Sequence, residues 1–566
     1  MAKSKKQKQQ VKTTVSFDTS FIYEPNLTLK TAIYAGIAII SLLLSFIYIY
    51  SANGANHILG FPLDDPWIHL TFAKNLVEYG SFSYFKNEMA TAGSTSPIYT
   101  LLLAAGFLIT SNEMILSYVL GMAFFVLSSM FFYKLSSFEF AKENVYALIA
   151  SLIFIVDKWM NFVSVSGMET TMFIFILIAT AYFYRKKKVV PFGIFLSLIM
   201  WTRPDGVAFI GALAVDYMLQ KHFSKSDTTI KIFTKQDFIK IGIIASVFLA
   251  LYFLMNLTLS GSLLPNTYNA KLTYYAPEFR SRTEFLKFEV WDYFTKGSYG
   301  ILMIGFFGGL YFTLANLFKK KYNGNFLYIL FIAAFVFIYW YKLPYAHRFG
   351  RYLMPIIPFM IIVSSTGFRD IFKSLGGFLK NRVVAVYGTV ITLLVIGVLS
   401  FNNYMDNKNA YIEECKYIND RQVEAAKWIA ANTNENDIIA THDVGAIGYY
   451  SKRKIVDVAG LVTPELITKI SDANYVDQMK QYLNKNGVTY VAFLREWYRV
   501  VNQNPLFSTQ DISPMEIMEI FKYTPNTTNI LSKMSNGIIM EVQNRISSRN
   551  SQHLQNSAQL LNRTLQ

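Results

Sequence analysis

A single cysteine, Cys415, stands in a chain of 566 residues, so an internal disulfide framework is excluded. Charge is also scarce. Asp, Glu, Lys and Arg together make up 16% of the residues, where a soluble globular chain carries about a quarter. The chain has no HExxH, no paired cysteines, no Walker A loop and no GxSxG. Zinc-peptidase, P-loop and nucleophile-elbow chemistry therefore have no local signature. No internal repeat is visible, and no inverted repeat of hydropathy of the kind secondary transporters carry.

What is abundant is apolar surface. Hydrophobic residues make up 53% of the chain and aromatic residues 16%. Long apolar runs joined by basic connectors recur from Thr31 to Phe401, the pattern of a polytopic α-helical membrane protein. The net charge of +16 lies mostly in short lysine-rich connectors, so it argues for membrane topology and no nucleic-acid partner. The basic N-terminus, 1–30, precedes a first run that is too long and too distant from the start for a signal peptide; it reads as a retained anchor.

Hydropathy predicts spans at 31–51, 115–133, 145–157, 170–184, 189–202, 204–219, 239–258, 299–318, 325–341, 351–366 and 383–401. The run 97–110 has 14 residues and reaches only about 21 Å as a helix, short of a hydrocarbon core of about 30 Å. It is expected to be re-entrant or interfacial. Charge parity agrees. With 97–110 not crossing, the connectors RKKK at 185–188, the lysine-rich 221–240, KKK at 319–321 and 369–382 all fall inside. About eleven crossings result, with the N-terminus cytoplasmic and the C-terminus outside. The loop 52–96, the Lys271 and Arg348 loops and everything after 401 then share the outer side. From about 402 the composition turns soluble. Helix, loop and strand signals, then RKIVDVAGL and GVTYVAFL as further buried strands, predict a C-terminal extracytoplasmic α/β domain over 402–545. The polar tail 546–566 is expected to be disordered.

The chemistry-bearing residues gather on that outer side. In FPLDDPWIHL, Asp65-Pro66 is a helix start, with Asp65 as cap. The apolar face Ile68, Phe72, Leu76, Tyr79 suits the membrane surface. Capping does not explain Asp64. A second carboxylate is free to act as a general base or as a metal ligand, so a divalent cation is compatible with the pair Asp64 and Asp65, although no ligand set is legible. Glu169, in SVSGMETTMF, sits at the outer mouth of a span, where a helix N-terminus alone would suit it. Arg203 and Asp205 interrupt a hydrophobic hairpin, where charges either pair with each other or serve a site. Asn266 and Lys271 directly follow a span. KLPYAHRFGR packs Lys342, His347, Arg348 and Arg351 into one short outer stretch, opposite to positive-inside expectation; such a cluster suits a phosphate, on a ligand or on a lipid headgroup.

These residues, read in order, resemble the GT-C glycosyltransferase superfamily. The likeness is to its terminal arabinofuranosyltransferase (AftB-like) group, and it rests on six stretches: Asp64-Asp65-Pro66-Trp67-Ile68, Gly93 to Pro97, Gly167-Met168-Glu169-Thr170, Thr202 to Gly206, Pro265 to Lys271, and Arg351 to Pro355. It extends to Asp443-Val444-Gly445 and Asp457 to Leu461. The stretch GSTSPIY departs from the glycine-tyrosine-threonine-asparagine pattern of the arabinosyl enzymes. The resemblance implies a polyprenyl-phosphate sugar donor drawn from the membrane lipids and a glycan or glycolipid acceptor. Asp64 or Asp65 would deprotonate the acceptor, with inversion at the sugar. Arg203, Lys271, Arg348 and Arg351, with His347 beside them, would hold the donor phosphate. The C-terminal domain would bind the acceptor, with Asp443 and Asp457 as candidates. Rival readings are a lipid or sugar flippase, an oligosaccharyltransferase and a non-enzymatic assembly scaffold.

Overall fold

Helices occupy every stretch where hydropathy predicts a span, and their lengths decide which can cross a bilayer alone. The structure is a computed structural model and describes residues 27–85, 96–141, 143–260, 267–470, 472, 474–510 and 516–534. Asn266, Gly93 to Thr95, most of the basic N-terminus and the 546–566 tail lie outside the described residues. Among the described residues seven helices are long and apolar enough to span, and eight if the bent pair Asn144–Ile155 and Lys158–Ser164 counts as one. Thr170–Arg185, Val189–Thr202 and Pro97–Phe107 are apolar but shorter. The protein is an integral membrane protein with a helical body and a small C-terminal sheet.

Local chemistry sets the breaks. Asp157 caps the second half of the bent pair by accepting from the Trp159 and Met160 amides at 3.0 and 3.1 Å, and its other oxygen takes the Tyr299 hydroxyl at 2.6 Å. Glycines bring two long helices, Ser298–Phe318 and Ile357–Leu379, into backbone contact: a Cβ on Gly367 would strike the Gly305 carbonyl. The first and last spans are tied by a reciprocal tyrosine pair. Tyr48 donates to the Tyr404 carbonyl at 3.0 Å, and Tyr404 to the Leu44 carbonyl at 2.8 Å.

The last span does not stop where the composition changes. Helix Arg382–Ile418 runs unbroken for 37 residues, about 55 Å at the usual rise, and so carries the chain well past a core of about 30 Å. It leads through helix Glu424–Asn432 into seven strands. These are β1 (Ile438–Thr441), β2 (Lys454–Asp457), β3 (Tyr490–Leu494), β4 (Tyr498–Val500), β5 (Phe507–Ser508), β6 (Met518–Lys522) and β7 (Ile530–Ser532). Five form one sheet in the order β2-β1-β3-β6-β5, while β4 and β7 pair separately. β1 lies parallel to both β2 and β3, and β6 runs antiparallel to β3.

Alternation along the strands separates two faces. Ala440, Val491 and Phe521 pack with Met479 and Leu483 of helix Tyr475–Lys485. Ile439, Ala492 and Ile520 pack with Ala425 and Ile429, and also with Ile68 and Phe72. That last contact corrects an expectation. The apolar face of helix Pro66–Tyr79 does not lie on the membrane at these positions. Ile68 is 8% exposed and Phe72 is fully buried, because the sheet offers a larger apolar surface than an interface can.

Candidate active site

The loop that carries Asp64 and Asp65 is held from below. The Gly60 carbonyl accepts the Tyr118 hydroxyl at 2.6 Å and the Cys415 thiol at 3.3 Å. Phe61 and Leu63 are buried, and Trp67 packs on Phe61, Tyr449 and Tyr450. This anchoring turns the two adjacent carboxylates in opposite directions.

Asp65 occupies the cap position of its helix, but its side chain makes no capping bond. Its carboxylate instead takes the Arg351 guanidinium at 2.6 Å. The expected cap is therefore positional only: a buried cation outcompetes the helix amides for the carboxylate. Burial alone would raise the Asp65 carboxyl, but the charge of Arg351 outweighs it and holds the group well below the usual carboxylate range.

Asp64 turns into the C-terminal sheet domain. One oxygen accepts the Gly445 amide at 2.7 Å and the other the Ala446 amide at 2.8 Å. Tyr84, from the same loop, donates to the Val444 carbonyl. The approach is close enough that a Cβ on Gly445 would run into the Asp64 carbonyl and carboxylate. Burial pushes the Asp64 carboxyl well up, and the charge of Asp443, with which it shares a hydrogen bond, pushes it further. Asp443 itself is steadied by the Gln422 amide at 2.6 Å.

The cation cluster divides at a bend. His347 and Phe349 both have φ of +61°, a conformation that strains residues with a Cβ. The bend sends Arg348 to Glu414 at 3.9 Å and over the Tyr417 ring, away from the carboxylates. It sends Arg351 inward, 3% exposed, toward Asp65. The Arg351 Nε and Nη1 find no acceptor among the described residues. The Lys271 ammonium lies 5.8 Å from the centre of the Tyr352 ring, the ring that Arg351 also faces at 5.7 Å. His347 lies 3.4 Å from the Tyr275 hydroxyl; burial and the neighbouring Arg351 push its imidazole well below its ordinary value.

Arg203 and Asp205 form a mutual pair, with bonds of 3.1 and 2.6 Å, and Tyr339 donates to the same carboxylate at 2.6 Å. The pair still borders the site, because Arg203 stands 3.9 Å from Glu169. Glu169 is buried rather than solvated at a helix mouth, and lies 3.6 Å from His69. Asp457 is fully buried and grips its own turn, accepting from the Ala459 and Val462 amides at 2.7 and 2.9 Å. Burial pushes it up to about 7.

Sequence reasoning missed His69, Tyr84 and Gln422. The signal for His69 was present, as a polar residue inside the buried turn of helix Pro66–Tyr79. Tyr84 and Gln422 had none, since their partners lie far along the chain. Asp64 accepts two backbone amides and Asp65 a guanidinium, so neither carboxylate is without partners. Among the described residues no group of three or more His, Cys, Asp or Glu side chains converges as a metal site.

Residues 412–531 match a family described as a domain of unknown function, DUF8728. No curated protein matches the chain by sequence. Similar solved structures exist. ArnT from Cupriavidus metallidurans, bound to undecaprenyl phosphate, aligns at 10% identity over 88% of this chain and 98% of its own, with a TM-score of 0.52. The oligosaccharyltransferase of Archaeoglobus fulgidus, crystallised with Zn and sulfate, aligns at 13% identity over 81% of this chain and 68% of its own, also at 0.52. The arabinofuranosyltransferase AftD from Mycobacteria aligns at 0.45, over 41% of its own length, and carries no argument about the sugar. The fold of this chain is the one ArnT and the oligosaccharyltransferase share, the GT-C fold.

Proposed function

We propose that the protein is a membrane glycosyltransferase that moves a single sugar from a polyprenyl-phosphate donor to a glycan or glycolipid hydroxyl on the extracytoplasmic face. The observation that carries this reading is Arg351. A guanidinium buried to 3% exposure keeps two N–H groups without an acceptor among the described residues, beside a carboxylate that fixes its orientation. Leaving such donors unsatisfied is costly, and an anionic oxygen is the acceptor that suits them. Lys271 adds a second positive charge near the same ring. The lipid phosphate lies there, and its developing charge is stabilised as the sugar departs.

The acceptor hydroxyl lies toward Asp64. Its oxygen attacks the anomeric carbon from the face opposite the phosphate. The bond from that carbon to the phosphate oxygen breaks, and the configuration inverts. The hydroxyl proton passes to the Asp64 carboxylate, the general base. Asp65 keeps Arg351 in place. The arabinofuranosyl donor implied by the sequence likeness is one member of the pentose and hexose panel to be tried.

The test uses purified protein in nanodiscs with polyprenyl-phosphate pentoses and hexoses, simple glycoside acceptors and an acceptor peptide. Asp64→Asn is expected to lower the transfer rate by about 10²–10⁴-fold, the usual contribution of a general base. Arg351→Gln is expected to raise the donor KM. Wild-type transfer rates in both variants would sink the reading. Transfer only to the peptide would favour an oligosaccharyltransferase, and movement of intact donor across the bilayer would favour a flippase.

A further inference from the structure

The parallel part of the sheet has strand order β2-β1-β3, so the chain leaves β1 toward one edge and crosses back over it to form β3. Such an order opens a crevice at the carboxyl ends of β1 and β3, the place where open α/β sheets take ligands. In this chain the residue directly after β1 is His442, and Trp497 and Tyr498 follow the end of β3. The His442 ring centre lies 6.2 Å from that of Trp497 and 5.3 Å from that of Tyr498. The Tyr274 ring, carried by helix Thr267–Tyr274 of the membrane half, stacks on Trp497 at 4.8 Å.

Two of these groups are chemically unfinished. His442 is 7% exposed, and neither ring nitrogen has a hydrogen-bond partner among the described residues. Tyr274 is 5% exposed, and its hydroxyl has none among the described residues either. Buried polar atoms without partners are rare, and two around one indole call for a ligand with its own donors and acceptors.

We infer that the β1/β3 crevice, lined by His442, Tyr274, Trp497 and Tyr498, is the subsite that holds a sugar ring of the acceptor. The inference rests on the proposed glycosyl transfer and assigns the acceptor a place in it. A neutral imidazole offers one donor and one acceptor, and a phenol offers both, a set that matches vicinal hydroxyls. Aromatic faces match the apolar C–H side of a sugar. Burial lowers His442 to about 4, so the ring is neutral and a charged ligand gains nothing from it. The position also fits. His442 adjoins Asp443, Asp443 is hydrogen-bonded to Asp64, and Asp65 follows Asp64 and binds Arg351. The acceptor ring and the donor phosphate thus lie on opposite sides of the acidic pair. Tyr274 follows the span Lys235–Ser260, while His442 and Trp497 belong to the sheet domain, so residues from both parts of the chain line the crevice.

The experiment is ligand-observed NMR of the protein in nanodiscs with a panel of methyl pentosides and hexosides, free of donor, beside Tyr274→Phe and His442→Phe. Tyr274→Phe removes only an oxygen with no partner among the described residues, so no bond among them is lost. The expected result is binding of at least one glycoside by the wild type, weakened roughly tenfold in either variant, as losing one or two neutral hydrogen bonds implies. Unchanged binding in both variants overturns the inference, and so does a wild type that binds no glycoside. Cleavage of a polyprenyl-phosphate sugar, followed separately with Arg351→Gln, does not pass through this crevice. It reports on the proposed transferase activity alone.

Discussion

At the scale of single residues, neighbouring side chains of the same type do different work because their surroundings differ. Asp64 and Asp65 are adjacent, yet one is driven toward its protonated form by burial and Asp443, and the other is held ionised by Arg351. His442 offers a test through pH. Burial lowers its pKa from 6.5 to about 4, with Asp443 opposing and Arg421 adding to the shift. Between those values the unfolded chain takes up a proton that the folded one refuses. Its contribution to stability is therefore complete above about 6.5 and is lost as the pH falls toward 4, amounting to roughly 3 kcal/mol. Hydrogen exchange of the β1 amides between pH 7 and 4.5 should show this slope, and His442→Phe should flatten it. An unaltered slope in the variant would assign the effect to another group.

At the scale of elements, most of the chain was legible before any coordinate. Apolar runs of helical length marked helices, seven or eight of which among the described residues are long enough to span against about eleven expected, and short β-rich runs such as RKIVDVAGL and GVTYVAFL marked β2 and β3. Contacts between distant segments were not legible. Asp65 followed by Pro66 looks like a cap, and its backbone does start a helix. The carboxylate, though, is claimed by an arginine 286 residues later, which no local pattern records. The face Ile68–Phe72 has the right spacing for a membrane surface, and only the sheet packed against it settles what it covers. Arg203–Asp205 was readable because its partners are two residues apart. Gly445 tests the tightest of the remote contacts. Gly445→Ala places a methyl group against the Asp64 carboxylate, with an expected cost of about 1–3 kcal/mol in thermal unfolding and a fall in transfer rate. Wild-type stability and rate would mean that the loop and the sheet domain part more easily than this contact implies.

At the scale of the whole molecule, the sheet domain and the helical body meet over the acidic pair, so the sidedness of the domain is also the sidedness of the reaction. Cys415 is fully buried, which leaves the native chain nearly silent to thiol reagents. Single cysteines can therefore report topology in an otherwise native background. Lys452→Cys, exposed on the sheet domain, should label in intact cells with a membrane-impermeant maleimide. Lys319→Cys, exposed at the end of helix Ser298–Phe318, should label only after permeabilisation. The reverse pattern would invert the predicted orientation and move the acidic pair to the cytoplasm.

The Asp64 carboxylate is fixed by amides that enter the chain 381 and 382 residues after it. The ribosome therefore delivers Asp64 early and the amides that fix it late. A nascent chain already threaded into the bilayer has its spans and Arg351 but no oriented Asp64 carboxylate. In the proposed transfer, the Asp64 carboxylate is therefore not oriented until the sheet domain has been made.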